Sequence, residues 1–108
     1  PVLKALPMGQ ATDLGKLAAY RACTWRLLLD TPTPGWGGSG EIHDWSLAQQ
    51  AAQQHRLVLA GGLHPDNVAA AITQVRPWGV DVSSGVESAK VKDEAKIRAF
   101  IQQARSVV

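Results

Sequence analysis

Four short apolar runs divide the chain, and a segment with helical periodicity follows each of them. The runs are Val2–Leu6, Trp25–Leu29, Arg56–Ala60 and Gly79–Ser83. The middle two contain the nearly continuous aliphatic stretches LLL and LVLA, which are typical of strands buried on both faces of a parallel sheet. We therefore predict a β-strand at each run.

The intervening segments carry apolar residues at helical spacing. We predict helices from about Thr12 to Ala22, from Asp44, after His64 and from near Asp93. Thr12 and Asp44 are residue types that cap helix N-termini, and Pro65 suits a first helical position. A strand followed by a helix, four times over, predicts an α/β fold with parallel strands and right-handed crossovers.

Periodicity alone leaves two architectures open. One is a small four-stranded α/β domain. The other is half of a (βα)8 TIM barrel, because a complete barrel needs roughly 200–250 residues and this chain has 108. No linker or low-complexity segment interrupts the series, so residues 1–108 are predicted to form a single domain.

Composition narrows the classes of partner. Lys and Arg total 11 against 9 Asp and Glu, the charges are scattered, and aromatic residues make up only 6%. Nucleic-acid binding therefore has little support. No apolar run approaches the length of a membrane span, and the N-terminal residues lack a signal-peptide pattern. A single cysteine, Cys23, can form neither an internal disulfide nor a zinc site, so we expect a cytoplasmic protein without a bound metal.

The residues that follow the strands are the candidates for chemistry, because parallel α/β folds bind ligands beyond the carboxyl ends of their strands. Gly61 and Gly62 follow the third run, and Ser84 and Gly85 follow the fourth. Glycines let the backbone approach a ligand closely, and converging N–H groups bind anions. One such loop would more simply be a tight turn. Two loops on consecutive strands favour a phosphate site.

Asp30 closes the run of three leucines. A carboxylate there would be partly desolvated, and a carboxyl group in such a setting can donate a proton near neutral pH. An aspartate that caps the turn at Thr31 and Pro32 is an equally good interpretation. Cys23 precedes the same strand and would lie roughly 20 Å from Asp30, so we expect it to be a structural thiol.

Together these segments resemble the phosphoribosylanthranilate isomerase family of tryptophan biosynthesis. The matching stretches are Leu27–Ala48, Leu57–Ile72, Arg76–Ser88 and Val91–Ile101. They cover the second half of the family's TIM barrel, strands five to eight. The resemblance therefore implies that the chain is the C-terminal half of a (βα)8 barrel.

The resemblance also implies a reaction and a set of roles. The family converts the phosphoribosyl aldosylamine of anthranilate into a 1-deoxyribulose phosphate by an Amadori rearrangement, without a metal or organic cofactor. It makes Asp30 the general acid and Asp81 a contact to a substrate hydroxyl. It assigns the substrate phosphate to Gly61, Gly62, Ser84 and Gly85, and a mobile loop over the site to Gly37, Gly38 and Gly40.

Several family features are missing from this sequence. The general-base cysteine of a K-x-C-G segment and the arginine that follows the family's second strand are absent. The stretch between Glu87 and Val91 is shorter than usual, and His64 replaces an asparagine. We therefore expect the isolated chain to be weak or inactive as an isomerase. The alternatives are a catalytically inactive half-barrel that binds phosphate or assembles with itself and, with less support, another phosphate-binding sugar isomerase.

Four strands are too few to close a barrel. We expect edges at Val2–Leu6 and Gly79–Ser83, and inward aliphatic side chains that need cover. The partners we predict are a phosphorylated small molecule and either the missing N-terminal half-barrel or a second copy of the chain. The side chains expected to point inward are Leu27, Leu29, Val58, Val80 and Val82.

Overall fold

The computed structural model describes residues 3–7, 13–21, 26–31, 36–37, 40–41 and 44–108. In chain order the elements are β1 (Leu3–Pro7), α1 (Asp13–Arg21), β2 (Arg26–Asp30), β3 (Trp36–Gly37), β4 (Gly40–Glu41), α2 (Ser46–Ala52), β5 (Leu57–Ala60), α3 (Val68–Val75), β6 (Gly79–Val80), a 3₁₀ turn (Ser84–Val86), β7 (Glu87–Ser88), β8 (Val91–Lys92) and α4 (Glu94–Arg105).

The main sheet contains four parallel strands in the order β1-β2-β5-β6. Each strand pairs with the next main strand along the chain, and a helix lies between every two of them. In register, Pro7 is level with Asp30 and Asp30 with Ala60, so the carboxyl ends of three strands form one edge. The predicted α/β fold with four parallel βα units is confirmed.

The two faces of this sheet have different surroundings. Leu27, Leu29, Leu57 and Leu59 are buried in one cluster with residues from all four helices, and we call their side of the sheet the helix face. Because side chains alternate along a strand, Leu28 lies on the opposite side, which we call the open face. Its neighbour Ala5 is exposed.

This alternation corrects the predicted inward set. Val58 lies on the open face, level with Leu28, as expected. Leu27 and Leu29 point to the helices instead, and Val80 is level with Leu59 on the same helix face. The prediction was wrong by one residue of register. Since Asp30 lies at the cleft described below, its neighbour Leu29 has to point the other way.

The helix face supplies the core. Its largest fully buried side chains contribute roughly 1.5–3 kcal/mol each to stability by the transfer of apolar surface from water. They are Leu17, Leu29, Leu57, Leu59 and Val68. Within the described ranges, no helix combines the length and apolar character needed to cross a membrane.

The helix starts are set by short polar side chains. Asp44 accepts the backbone N–H of Ser46 at 3.0 Å, at the start of α2. Asp93 caps α4 by accepting the N–H groups of Ala95 at 2.9 Å and Lys96 at 3.3 Å. Both predicted starts are confirmed to within two residues.

Helix α3 starts later than predicted. Its first residue is Val68, and the segment that contains Pro65 forms a turn. The Asn67 side chain holds that turn, because its Oδ1 accepts the His64 N–H at 2.8 Å and its Nδ2 donates to the Gly62 carbonyl at 2.9 Å. These local bonds compete with helical ones, so the helix begins beyond them.

Strand β6 is shorter than predicted, and a hairpin follows it. Asp81 still donates its N–H to the Leu59 carbonyl at 2.9 Å, but the chain then turns away toward the 3₁₀ turn. Strands β7 and β8 pair in antiparallel fashion around Ala89 and Lys90, whose φ angles are 52° and 67°. Positive φ at both central residues is the signature of a tight two-residue hairpin turn.

Candidate active site

A cleft of about 240 Å³ lies at the carboxyl edge of the main sheet. The ends of β2, β5 and β6 and the loops after them form its walls. Six residues that the sequence marked as site candidates line it together: Asp30, Gly61, Gly62, Asp81, Ser84 and Gly85.

Asp30 is the last residue of β2, and the next residue anchors it. The N–H of Thr31 donates to the Ala60 carbonyl at 2.9 Å, and the Thr31 hydroxyl donates to the same oxygen at 2.9 Å. Thr31 is only 3% exposed. Two bonds onto one carbonyl therefore tie the end of β2 to the end of β5 and fix the backbone that carries the carboxylate.

The carboxylate itself is exposed, which corrects the expectation that it would be partly desolvated. Asp30 and Leu28 lie on the open face of the sheet, where the described residues provide no second layer of structure. A carboxylate loses solvent only where protein surrounds it. The strand end gives Asp30 its direction but not an apolar pocket.

Gly61 brings the first loop directly against this strand end. Its φ is +97° and that of Gly62 is +66°, a region that side-chain-bearing residues rarely adopt. A Cβ on Gly61 would lie 2.6 Å from Asp30 Oδ1 and 2.7 Å from the Thr31 backbone nitrogen. Any other residue at this position would displace the carboxylate or the strand.

Gly85 joins the second loop to the first. A Cβ on Gly85 would overlap the carbonyl oxygen of Leu63 and lie 2.9 Å from its carbonyl carbon. Leu63 is buried, so this backbone has little room to move away. The two loops that the sequence singled out are therefore in contact, and only glycine fits at the contact.

Donors and charges are unevenly distributed around the cleft. The amides of Gly61, Gly62, Ser84 and Gly85 donate no hydrogen bond to any residue in the described ranges. Asp30 and Asp81 are the only charged residues lining the cleft in the part of the chain that the structure describes. An anion would thus be bound by backbone N–H groups and hydroxyls, and a carboxyl group would stand nearby for proton transfer.

Other predicted residues lie elsewhere or beyond the description. Gly37 and Gly40 pair with each other in the β3–β4 ladder. Gly38, Cys23 and His43 fall outside the described residues. Where the structure is described, no three His, Cys, Asp or Glu side chains are grouped as metal ligands.

Sequence reasoning missed Thr31 as a buried anchor and treated it only as part of a turn. Its hydroxyl bonds to a residue 29 positions away. The sequence signal was the placement of a small hydroxyl residue directly after the aspartate that ends an aliphatic strand. Such a signal cannot identify the partner carbonyl.

Comparison with known proteins gives a consistent result. The family model described as N-(5'phosphoribosyl)anthranilate (PRA) isomerase matches residues 1–103. An N-(5'-phosphoribosyl)anthranilate isomerase from Roseiflexus castenholzii is 61% identical over 82 residues, which cover 75% of this chain and 39% of that protein. A relative from Desulforudis audaxviator is 48% identical over 108 residues, 99% of this chain and 53% of its own length.

Solved structures agree with the sequence comparison. The phosphoribosyl anthranilate isomerase of Thermotoga maritima superposes with a TM-score of 0.81 at 46% identity, over 97% of this chain and 51% of that one. The chain spans about half the length of the relatives it matches. Its four βα units correspond to half of their TIM barrel. The chain belongs to the N-(5'-phosphoribosyl)anthranilate isomerase family.

Proposed function

We propose that this chain is the half of a phosphoribosylanthranilate isomerase that binds the substrate phosphate and supplies the general acid. The observation that carries the proposal is the convergence of Asp30 with two glycine loops in one cleft. In full, the reaction is the Amadori rearrangement of N-(5'-phosphoribosyl)anthranilate. It belongs to tryptophan biosynthesis, a setting that places the protein in the cytoplasm.

The phosphate would anchor the substrate on the amides of Gly61, Gly62, Ser84 and Gly85. These amides have no other described partner, so the anion would not have to displace an existing hydrogen bond. They also lie close to Asp30, since Gly61 packs against its carboxylate. An anchored phosphate would therefore hold the attached sugar beside the carboxyl group.

Asp30 would start the rearrangement by protonating the ring oxygen of the furanose. The carbon–oxygen bond at the anomeric carbon then breaks as the amine nitrogen donates its lone pair, giving a Schiff base. A base outside this chain would remove the proton from C2′, and the resulting enolamine would tautomerise to the ketone. Asp81 would accept a hydrogen bond from a sugar hydroxyl, and the loop with Gly37, Gly38 and Gly40 would cover the site.

The open face of the sheet supports a partner for this half. Leu3 is 47% exposed, Ala5 is exposed and Leu28 is half-buried, so apolar side chains on this face lack cover among the described residues. We propose that the N-terminal half of the barrel packs here. It would also contribute the missing base and arginine. A second copy of the chain is the competing occupant.

The decisive experiment for the acid uses a completed barrel. This chain is joined to the corresponding first half of the Roseiflexus castenholzii relative, and Asp30→Asn is compared with Asp66→Asn, an exposed aspartate on the α3 turn. Loss of a general acid lowers kcat by about 10²–10⁴-fold, with little change in KM. The Asp66 control should keep full activity. A fall in kcat of less than about tenfold would mean that Asp30 only caps a turn.

The phosphate site is tested on the 108-residue chain alone, because both loops lie within it. Titration with inorganic phosphate should shift the backbone amide resonances of residues 60–63 and 83–87 and leave the others unchanged. Shifts spread over the basic side chains, or no shifts, would contradict a preformed site. Phosphate binding without turnover in the completed barrel would instead identify an inactive phosphate-binding module.

A further inference from the structure

Lys92 grips the loop that leads into the second half of the cleft. Its Nζ donates to the carbonyl oxygen of Ser83 at 2.9 Å and to the Ser83 hydroxyl at 3.3 Å. The same ammonium pairs with Glu87 Oε2 at 2.6 Å. Ser83 and Glu87 flank the 3₁₀ turn Ser84–Val86, so one side chain ties both ends of that turn together.

The contact with Ser83 bears directly on the cleft. The carbonyl of Ser83 and the N–H of Ser84 belong to the same peptide unit. In a planar trans peptide these two groups point in opposite directions. A cation held on the carbonyl oxygen therefore fixes where the Ser84 N–H points, and it polarises the peptide so that this N–H becomes a stronger donor.

Neighbouring contacts hold the far end of the turn but do not reach Ser83. Lys96 Nζ donates to the Glu87 carbonyl at 2.8 Å, and the Asp93 N–H donates to the Val86 carbonyl at 2.8 Å. Among the described residues, Lys92 is the cation bonded to the start of this loop. The cleft lining there contains no lysine or arginine, so the nearest compensation for a phosphate dianion acts through this peptide.

We infer that Lys92 is a positioning residue for the phosphate, which aims and polarises the Ser83–Ser84 peptide without touching the substrate. This role rests on the proposed phosphate site. It predicts that removing the cation weakens phosphate binding even where the hairpin stays folded. It also predicts that KM rises while kcat changes little, because the phosphate does not react and is bound equally in ground and transition states.

The test compares Lys92→Met with Lys90→Met, an exposed lysine in the turn of the same hairpin. Inorganic phosphate is titrated into each 108-residue chain, and Kd is read from the amide shifts of residues 83–87. A hydrogen bond from a charged group is lost in Lys92→Met, so its Kd should rise about tenfold. Lys90→Met should bind within about twofold of the unsubstituted chain. Lys92→Arg keeps the charge and should recover part of the affinity.

Glu87→Gln separates positioning from simple stabilisation, since it removes the ion pair but leaves the Lys92 bond to the Ser83 carbonyl. Phosphate affinity should be retained. The inference is overturned if Lys92→Met lowers the unfolding midpoint but binds phosphate like the unsubstituted chain, or if Glu87→Gln loses as much affinity as Lys92→Met. An unsubstituted chain that binds no phosphate overturns the phosphate site itself, and with it this role.

Discussion

Replacing Thr31 with valine tests whether the end of β2 is anchored by its buried hydroxyl. Valine has nearly the same shape, so the change removes one hydroxyl and leaves the packing volume in place. The lost bond is the 2.9 Å contact from the hydroxyl to the Ala60 carbonyl. That carbonyl still accepts the Thr31 N–H at 2.9 Å, so no buried acceptor is left without a partner.

The expected magnitude follows from this accounting. One net neutral hydrogen bond contributes about 1 kcal/mol, and a methyl group placed against a carbonyl adds a small further cost. We expect a loss of about 1–2 kcal/mol. For a domain of this size, each 1 kcal/mol lowers Tm by about 4–8 °C.

The assay is urea and thermal unfolding of the 108-residue chain, with Thr73→Val as the matched control. Thr73 also donates its hydroxyl to a backbone carbonyl, that of Ala69 at 2.8 Å, but on the exposed side of α3. Threonine and valine have similar helix propensities, so the control should change stability by less than about 0.5 kcal/mol. Equal midpoints for the two variants would refute the anchoring role of Thr31.

Three further predictions concern other described contacts. Gly85→Ala forces a Cβ into the Leu63 carbonyl and should cost about 1–3 kcal/mol in thermal unfolding, whereas Gly15→Ala in α1, with no described atom within 4 Å of its Cβ, should gain about 0.5–1 kcal/mol. The Ser88 hydroxyl and the Lys96 backbone N–H hold the pKa of Asp93 below its ordinary value, so its contribution is present above about pH 4 and is lost as the pH falls through the lowered pKa; Asp93→Asn should flatten the stability profile in acid. Lys90→Gly relieves a left-handed backbone and should raise the urea midpoint by about 1 kcal/mol of stability, and an unchanged midpoint would count against strain in this turn.

The order of strands and helices was predictable because each unit repeats the same pattern of a short aliphatic run followed by helical spacing. Which strand face meets the helices was also within reach of the sequence. Asp30 and Leu29 cannot point the same way, yet both were assigned to the inner face. The late start of α3 was not predictable, since it depends on where the Asn67 side chain bonds.

The site followed the same division. Glycines after strands are visible in a sequence because their backbone freedom has few other uses, and Gly61, Gly62 and Gly85 all line the cleft. Thr31 and Lys92 act through carbonyls that are not adjacent to them along the chain. Their residue types carry no mark of that partner, so only the folded chain reveals them.

The alternation along β2 restricts which changes in chain length the family scaffold can accept. Leu29 is fully buried against the helices, and Asp30, the next residue, opens onto the cleft. Inserting or deleting one residue within the strand would exchange the two, burying a carboxylate and exposing a leucine. Core and chemistry would fail in the same step. Gains and losses of residues are therefore tolerable only in the turns, such as the two-residue turn at Ala89 and Lys90, where a change of length alters no side chain's face.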